Sequence, residues 1–289
     1  MSIIIDENTR ILVQGITGHQ GAFHTGEMIK FGAKVVAGVT PGKGGREVHG
    51  VPVYDTVEEA MEREPNAAMI AVPARFVRDA AFESMYAGIK TIYILTEKVP
   101  VHDAMEIIHY AKLHGVTVVG PNSPGVTAPG RSKMGIMPNH IFREGGVAVA
   151  SRSGTLTYEI VHALSKSGLG QSTVIGLGGD PVVGLNFVDI LAMLENDDDT
   201  EAIVLVGEIG GTAEEEAAEY IAKHVSKPVV AYIAGRSAPP GKRMGHAGAI
   251  ITRGRGTAES KIRAFNEVGV PVADFPQDVP GLVREKLNL

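Results

Sequence analysis

His246 stands in Gly245-His246-Ala247-Gly248-Ala249, with Lys242 and Arg243 just before it. Small neighbours leave an imidazole open to a substrate, and a neutral ring nitrogen is a nucleophile near neutral pH. A lone histidine is more often structural or simply exposed. The other nine, His102, His109 and His114 among them, are dispersed and form no ligand spacing with a carboxylate. The loop around His246 is what separates it from them.

Glycine-rich stretches supply a second kind of chemistry. Four follow apolar runs: Ser151-Arg152-Ser153-Gly154-Thr155, Gly178-Gly179-Asp180-Pro181, Gly207-Glu208-Ile209-Gly210-Gly211, and the long stretch from Gly235 through Gly248. Two of them run into helix starts with Ser or Thr at the cap, a setting for a phosphate or carboxylate. Ser153, Gly154 and Thr155 are therefore phosphate candidates, and Tyr158, one turn further on, reaches the same space. Near the N-terminus, Gly15, Gly18 and Gly21 follow another apolar run. Their spacing departs from the G-x-G-x-x-G of dinucleotide binders. Lys43 and Arg46 stand where a ribose-binding acid would be expected. Cations there suit a ribose that bears a phosphate, as in NADP or coenzyme A. The plainer reading of that glycine loop is a tight turn that packs a helix on a sheet. No Walker loop is present. Five residues separate Gly235 from Gly241-Lys242, and Arg243 follows the lysine.

The elements that must position these residues alternate. Strands are predicted at 10–14, 34–39, 68–72, 91–95 and 116–119, with helices at 22–31, 57–64, 77–87 and 101–114. Buried apolar strands separated by such helices imply a parallel sheet. Pro121, Pro124, Pro129 and Pro138 then interrupt the rhythm, which places a boundary there. A second series has strands at 147–150, 173–177, 202–206, 229–233 and 271–273. Its helices fall at 155–167, 186–195, 213–224 and 257–268, with a last one after Pro280. The expected fold is α/β: a Rossmann-like domain over residues 1–123 and a flavodoxin-like domain over 124–289.

Composition narrows the function. An apolar share of 44% in short runs broken by glycine cannot span a bilayer, and residues 1–10 have no apolar core for a signal peptide. A net charge of −6 argues against a general nucleic-acid role. The absence of cysteine rules out disulfides, thiolate metal sites and a thiol nucleophile; no metal site is expected, and the location expected is cytoplasmic.

Taken in order, Gly15-Ile16-Thr17-Gly18-His19-Gln20-Gly21, Gly38-Val39-Thr40-Pro41-Gly42-Lys43-Gly44-Gly45, Thr96-Glu97 and Gly120-Pro121-Asn122 resemble the CoA domain of succinate–CoA ligase α subunits. Ser151 through Glu159, Gly207 through Gly211, and Gly245 through Ala249 resemble the phosphohistidine domain of the same family. The resemblance implies that Thr17, Gly18, His19, Gln20, Lys43, Leu95, Thr96 and Glu97 contact CoA. It implies that Tyr158 lies near the acid substrate, that His246 is phosphorylated and that Glu208 supports it. It also implies a β subunit with an ATP-grasp domain that holds ATP or GTP with Mg²⁺, in an αβ or α2β2 assembly, and succinate and CoA as substrates. The family often has Cys between Asn122 and Pro124, where this chain has Ser123; that residue is not the nucleophile in the implied scheme. Rival readings are a malate–CoA or ADP-forming acetate–CoA ligase α subunit, a non-enzymatic CoA- or NAD-sensing Rossmann protein, and an NAD-dependent dehydrogenase. The loop spacing and Lys43 disfavour the last.

Overall fold

The computed structural model describes residues 3–239, 244–251 and 256–289. They divide into two compact units. One holds residues 4–139 with 182–184, and the other residues 140–181 with 185–289. Residues 124–139, beyond the proline-rich boundary, cluster with the first unit.

The first unit runs β1 (Arg10–Gln14), α1 (His19–Phe31), β2 (Lys34–Val39), β3 (Glu47–Val48), β4 (Val51–Tyr54), α2 (Val57–Ala60), β5 (Ala67–Ile70), α3 (Val77–Tyr86), β6 (Thr91–Ile94), α4 (Val101–Leu113), β7 (Thr117–Val119), β8 (Gly125–Ala128) and β9 (Ser132–Gly135). Its sheet is ordered β3-β4-β2-β1-β5-β6-β7, parallel except for the short β3. Without β3, this is the 3-2-1-4-5-6 order of a Rossmann sheet. Ile11, Leu12 and Val13 in β1 and Ala67, Ala68, Met69 and Ile70 in β5 are buried, as central strands covered on both faces require. Leu12, Ala37, Val39, Val57, Ala60 and Ala68 form one apolar cluster; Ile70, Val77, Ile92, Ile94, Ile107 and Val118 anchor another. The chain moves outward from β1 to β4 and then crosses back to β5. A crevice therefore opens beyond the ends of β1 and β5.

The proline-rich stretch contains a hairpin. β8 and β9 pair antiparallel, with Gly125 opposite Gly135. Pro121, Pro124, Pro129 and Pro138 read as loop, yet the short segments between them pair with each other, which local periodicity does not reveal.

The second unit runs β10 (Glu144–Ser151), α5 (Gly154–Lys166), β11 (Gln171–Gly176), α6 (Phe187–Glu195), β12 (Ala202–Glu208), α7 (Ala213–His224), β13 (Val229–Ala234), α8 (Ala258–Glu267), β14 (Val272–Ala273) and α9 (Val279–Leu287). Its parallel strands are ordered β14-β13-β12-β10-β11. That is the flavodoxin-like 2-1-3-4-5 order, whose switch point lies between β10 and β12. All seven residues of β12 are buried. Among the described residues, no helix is long and apolar enough to cross a membrane.

Candidate functional site

Each unit places its glycine loops at its own switch point. In the first, Gly15 ends β1 with φ +82°, and a Cβ there would sit 2.5 Å from the Ala71 carbonyl oxygen. Glycine is thus required for both the turn and the close approach. The Gly15 amide donates to the Val39 carbonyl (2.8 Å) and the Gly18 amide to the Gly15 carbonyl (2.9 Å). Gly18 caps α1 without a side-chain cap bond, and the first turn carries no acid. A helix start of this kind accepts an anion.

The crevice has a volume of about 790 Å³. Thr17, Gly18 and Lys43 border it, together with Val39, Thr40 and Pro41 after β2 and Ala71, Val72, Pro73 and Phe76 after β5. Lys43 Nζ donates to Thr17 Oγ1 (3.1 Å), and Thr17 Oγ1 also meets Thr40 Oγ1 (3.2 Å), so the basic turn is tied to the glycine loop. His19 and Gln20 are exposed in the first turn of α1, and Gln20 Oε1 is 3.0 Å from His24 Nε2. Leu95, Thr96 and Glu97 follow β6, the next strand over. Thr96 Oγ1 donates to the Val72 carbonyl (2.6 Å), which links that strand end to the crevice wall. Glu97 is exposed and pairs with Lys98 at 2.9 Å. The contribution of Ala71 through Phe76 is invisible in the sequence, where Val72-Pro73 reads only as the end of a strand.

In the second unit, Ser153 caps α5, and its hydroxyl accepts from the Leu156 amide at 3.4 Å. Gly154 and Thr155 open the helix, with Thr155 exposed. Tyr158 is half-buried one turn on, and burial raises the pKa of its phenol. At the end of β12, Glu208 is buried and holds His246 from 38 residues away. His246 Nδ1 lies 3.0 Å from Glu208 Oε1 and 2.9 Å from Oε2. With Nδ1 donating to the carboxylate, Nε2 carries the lone pair and is the reactive nitrogen. The ring sits over Gly179, where a Cβ would come within 2.5 Å of His246 Cγ and Cδ2. Only glycine leaves room for it. The hydrogen bond to Glu208 raises the His246 pKa above its ordinary value of 6.5; burial and Arg152 act against that rise, and Asp180 adds to it. Lys242 and Arg243, singled out beside His246 in the sequence, lie outside the described residues.

The sequence offered no signal for what stands behind Glu208. Arg152 Nη1 donates to Glu214 Oε1 (2.9 Å) and to the Gly210 carbonyl (3.1 Å). Glu214, inaccessible to solvent in the first turn of α7, also accepts from the Glu208 amide (3.1 Å) and from Lys261 Nζ of α8. Lys261 is equally buried and reaches Glu215 Oε2 (3.0 Å) and the Gly211 carbonyl (3.1 Å). In sequence, Ala213-Glu214-Glu215-Glu216 looks like a solvated helix start.

Two switch-point sites, one an open crevice with Lys43, Asp79 and Glu83 in its lining and the other a carboxylate-braced histidine, fit a two-domain CoA-dependent ligase chain. Residues 6–98 match the CoA binding domain family and residues 150–270 the CoA-ligase family. The chain belongs to the succinate–CoA ligase α-subunit family. It is 57% identical over 288 residues to succinate–CoA ligase [ADP-forming] subunit alpha 2 of Archaeoglobus fulgidus, covering 99% of this chain and 100% of that one. It is 56% identical over 288 residues to the corresponding subunit alpha of Methanothermobacter thermautotrophicus, covering 99% and 98%. Among solved structures, ATP citrate lyase from Methanothrix soehngenii in complex with citrate and coenzyme A matches with a TM-score of 0.91 at 24% identity. The match covers 100% of this chain and 51% of that one, so this chain spans about half its length. A dinucleotide-forming acetyl-coenzyme A synthetase 1 of Ca. Korarchaeum cryptofilum matches with a TM-score of 0.75 at 22% identity, over 93% of this chain and 58% of that one. These two likenesses are of fold.

Proposed function

We propose that the chain is the CoA-binding, phosphohistidine-carrying α subunit of a succinate–CoA ligase, joining succinate and CoA at the expense of ATP, reversibly. The single observation that carries this reading is His246, held at Nδ1 by both oxygens of a buried Glu208 above Gly179. The ADP-forming relatives support ATP over GTP as the nucleotide. In this reading residues 1–123 serve CoA and 124–289 the phosphoryl relay.

His246 Nε2 attacks the terminal phosphorus of ATP, the P–O bond to ADP breaks, and Glu208 stabilises the charge that develops on the ring. Ser153, Gly154 and Thr155 at the start of α5 offer amide and hydroxyl donors to the transferred group. A succinate carboxylate oxygen then attacks phosphorus and the N–P bond breaks. The CoA thiol displaces phosphate from the resulting acyl phosphate and loses its proton. Tyr158 lines the acid's place. CoA lies along the first crevice, its phosphates toward Thr17, Gly18, His19, Gln20 and Lys43, with Leu95, Thr96 and Glu97 beside it. Nucleotide and Mg²⁺ belong to a β partner with an ATP-grasp domain, in an αβ or α2β2 assembly, in line with the missing Walker loop.

The test is intact-mass analysis of the αβ enzyme given ATP without succinate or CoA. The expected result is one acid-labile, alkali-stable phosphate on this chain. His246→Asn should remove both label and turnover while leaving CoA binding nearly intact. Normal turnover in that variant overturns the reading, as does tight NAD binding without CoA binding.

A further inference from the structure

The charged groups behind Glu208 form a graded series. Arg152 has two carboxylates within reach and is committed to one of them. Its Nη1 is 2.9 Å from Glu214 Oε1, whereas its Nη2 stays 3.6 Å from Glu208 Oε1, beyond hydrogen-bond length. Arginine forms two-pronged pairs with carboxylates readily, so an uncommitted Arg152 would close on Glu208. It does not, because Glu214 and the Gly210 carbonyl hold it. Glu214 is in turn fixed by Lys261 and by the Glu208 amide, with no solvent access to either Glu214 or Lys261. Both oxygens of Glu208 consequently remain on His246 Nδ1.

We propose that Glu214, anchored by Lys261, restrains Arg152 at a set distance from Glu208, making Arg152 and Glu214 opposed positioning residues that together set the proton affinity of His246. The inference rests on the phosphohistidine reading for its purpose, since a phosphoryl acceptor needs Glu208 on one nitrogen and a lone pair on the other. Among the described residues, the charged groups that act on the titration of the ring are Glu208 on β12, Arg152 after β10 and Asp180 after β11. Glu208 and Asp180 favour the protonated ring; Arg152 opposes it, and Glu214 screens Arg152. Buried charges at this range shift a titration by about one pH unit.

The two residues act with opposite signs, which a merely structural role does not give. The experiment is an NMR titration of ¹⁵N-histidine-labelled full-length chain, with the His246 signal identified by its loss in His246→Asn. In Glu214→Gln the apparent pKa of His246 should fall by about one unit, because Arg152 loses its screen. In Arg152→Met it should rise by a similar amount, and the double variant should return near wild type. CoA binding and melting temperature report that each variant is folded. Shifts of the same sign in both folded variants, or none, overturn the inference. If Glu214→Gln does not fold, Arg152→Met decides alone: a rise sustains the inference and its absence ends it. The titration needs neither β subunit nor nucleotide, so failure of the phosphohistidine reading appears separately, as absence of acid-labile phosphate in the wild-type αβ enzyme.

Discussion

At the first crevice, Gly18, His19 and Gln20 stand exposed, and Lys43 is half-buried with its Nζ 3.1 Å from the Thr17 hydroxyl. At the second, Glu208, Glu214 and Lys261 are buried and joined to one another or to Arg152 and His246 before any substrate arrives. Both sites sit at the switch point of a parallel sheet and both use glycine at strand ends. They differ in when their polar groups lose water. A site that binds a large polyanion can leave its donors hydrated until the ligand replaces that water. A site that must aim one nitrogen lone pair needs its dipoles fixed beforehand, because reorganisation during the reaction adds to the barrier. Substitutions at the second site should therefore change rates steeply, and those at the first should change affinity modestly.

The steepest effect is expected from Glu208→Gln. An amide keeps the shape but removes the charge that stabilises the ring as it becomes cationic, so phosphorylation of His246 should slow on the order of 100-fold with CoA affinity unchanged. The pH profile gives a second readout. Because Glu208 raises the His246 pKa, the ring becomes doubly protonated and loses its nucleophilic lone pair as pH falls through that raised value. The acid limb of phosphorylation should thus move to lower pH in Glu208→Gln. The stability term runs the other way: the protonated His246–Glu208 pair stabilises the fold fully below the ordinary 6.5, and this is lost as pH rises through the folded value. Rapid-quench phosphorylation across pH checks the limb. An unmoved limb would show that Glu208 does not govern the ring.

A smaller loss should follow from Gly179→Ala. The added methyl would meet the His246 ring at 2.5 Å, so the ring must shift away from its place between Glu208 and substrate. A displacement of that size should slow phosphorylation about tenfold or more, again without effect on CoA binding. Wild-type rates would mean that the ring has room the structure does not show.

The smallest effect belongs to the first crevice. Lys43→Ala should weaken CoA about five- to tenfold, roughly 1–1.4 kcal/mol, the scale of one partly hydrated charged hydrogen bond. Dephospho-CoA should lose less, if the lysine meets the 3′-phosphate. Calorimetric titration with both ligands checks this. Equal losses would move the lysine to the pyrophosphate, and a loss in catalytic rate at saturating CoA would erase the contrast between the two sites.

The sequence alone determined the alternation of strands and helices, because a buried parallel strand must be apolar on both faces and a covering helix must repeat its apolar residues every three to four positions. It also determined the glycine loops, since Gly15 and Gly179 stand where no side chain fits. His246 was visible through its small neighbours, and Glu208 became its partner only through resemblance to a family. Tertiary structure decided the rest. The β8–β9 hairpin depends on pairing between two segments too short to show a period of their own. Glu214 and Lys261 belong to residue types that usually face water, and nothing in Ala213 through Glu216 or in α8 marks them as buried. Their burial is fixed by the packing of α7 and α8 at the end of β12, which brings Arg152, Glu214 and Lys261 together from distant parts of the chain. Periodicity is a local property and can be read along the chain; the cancellation of buried charge is a non-local one, and exists only once the strands are in order.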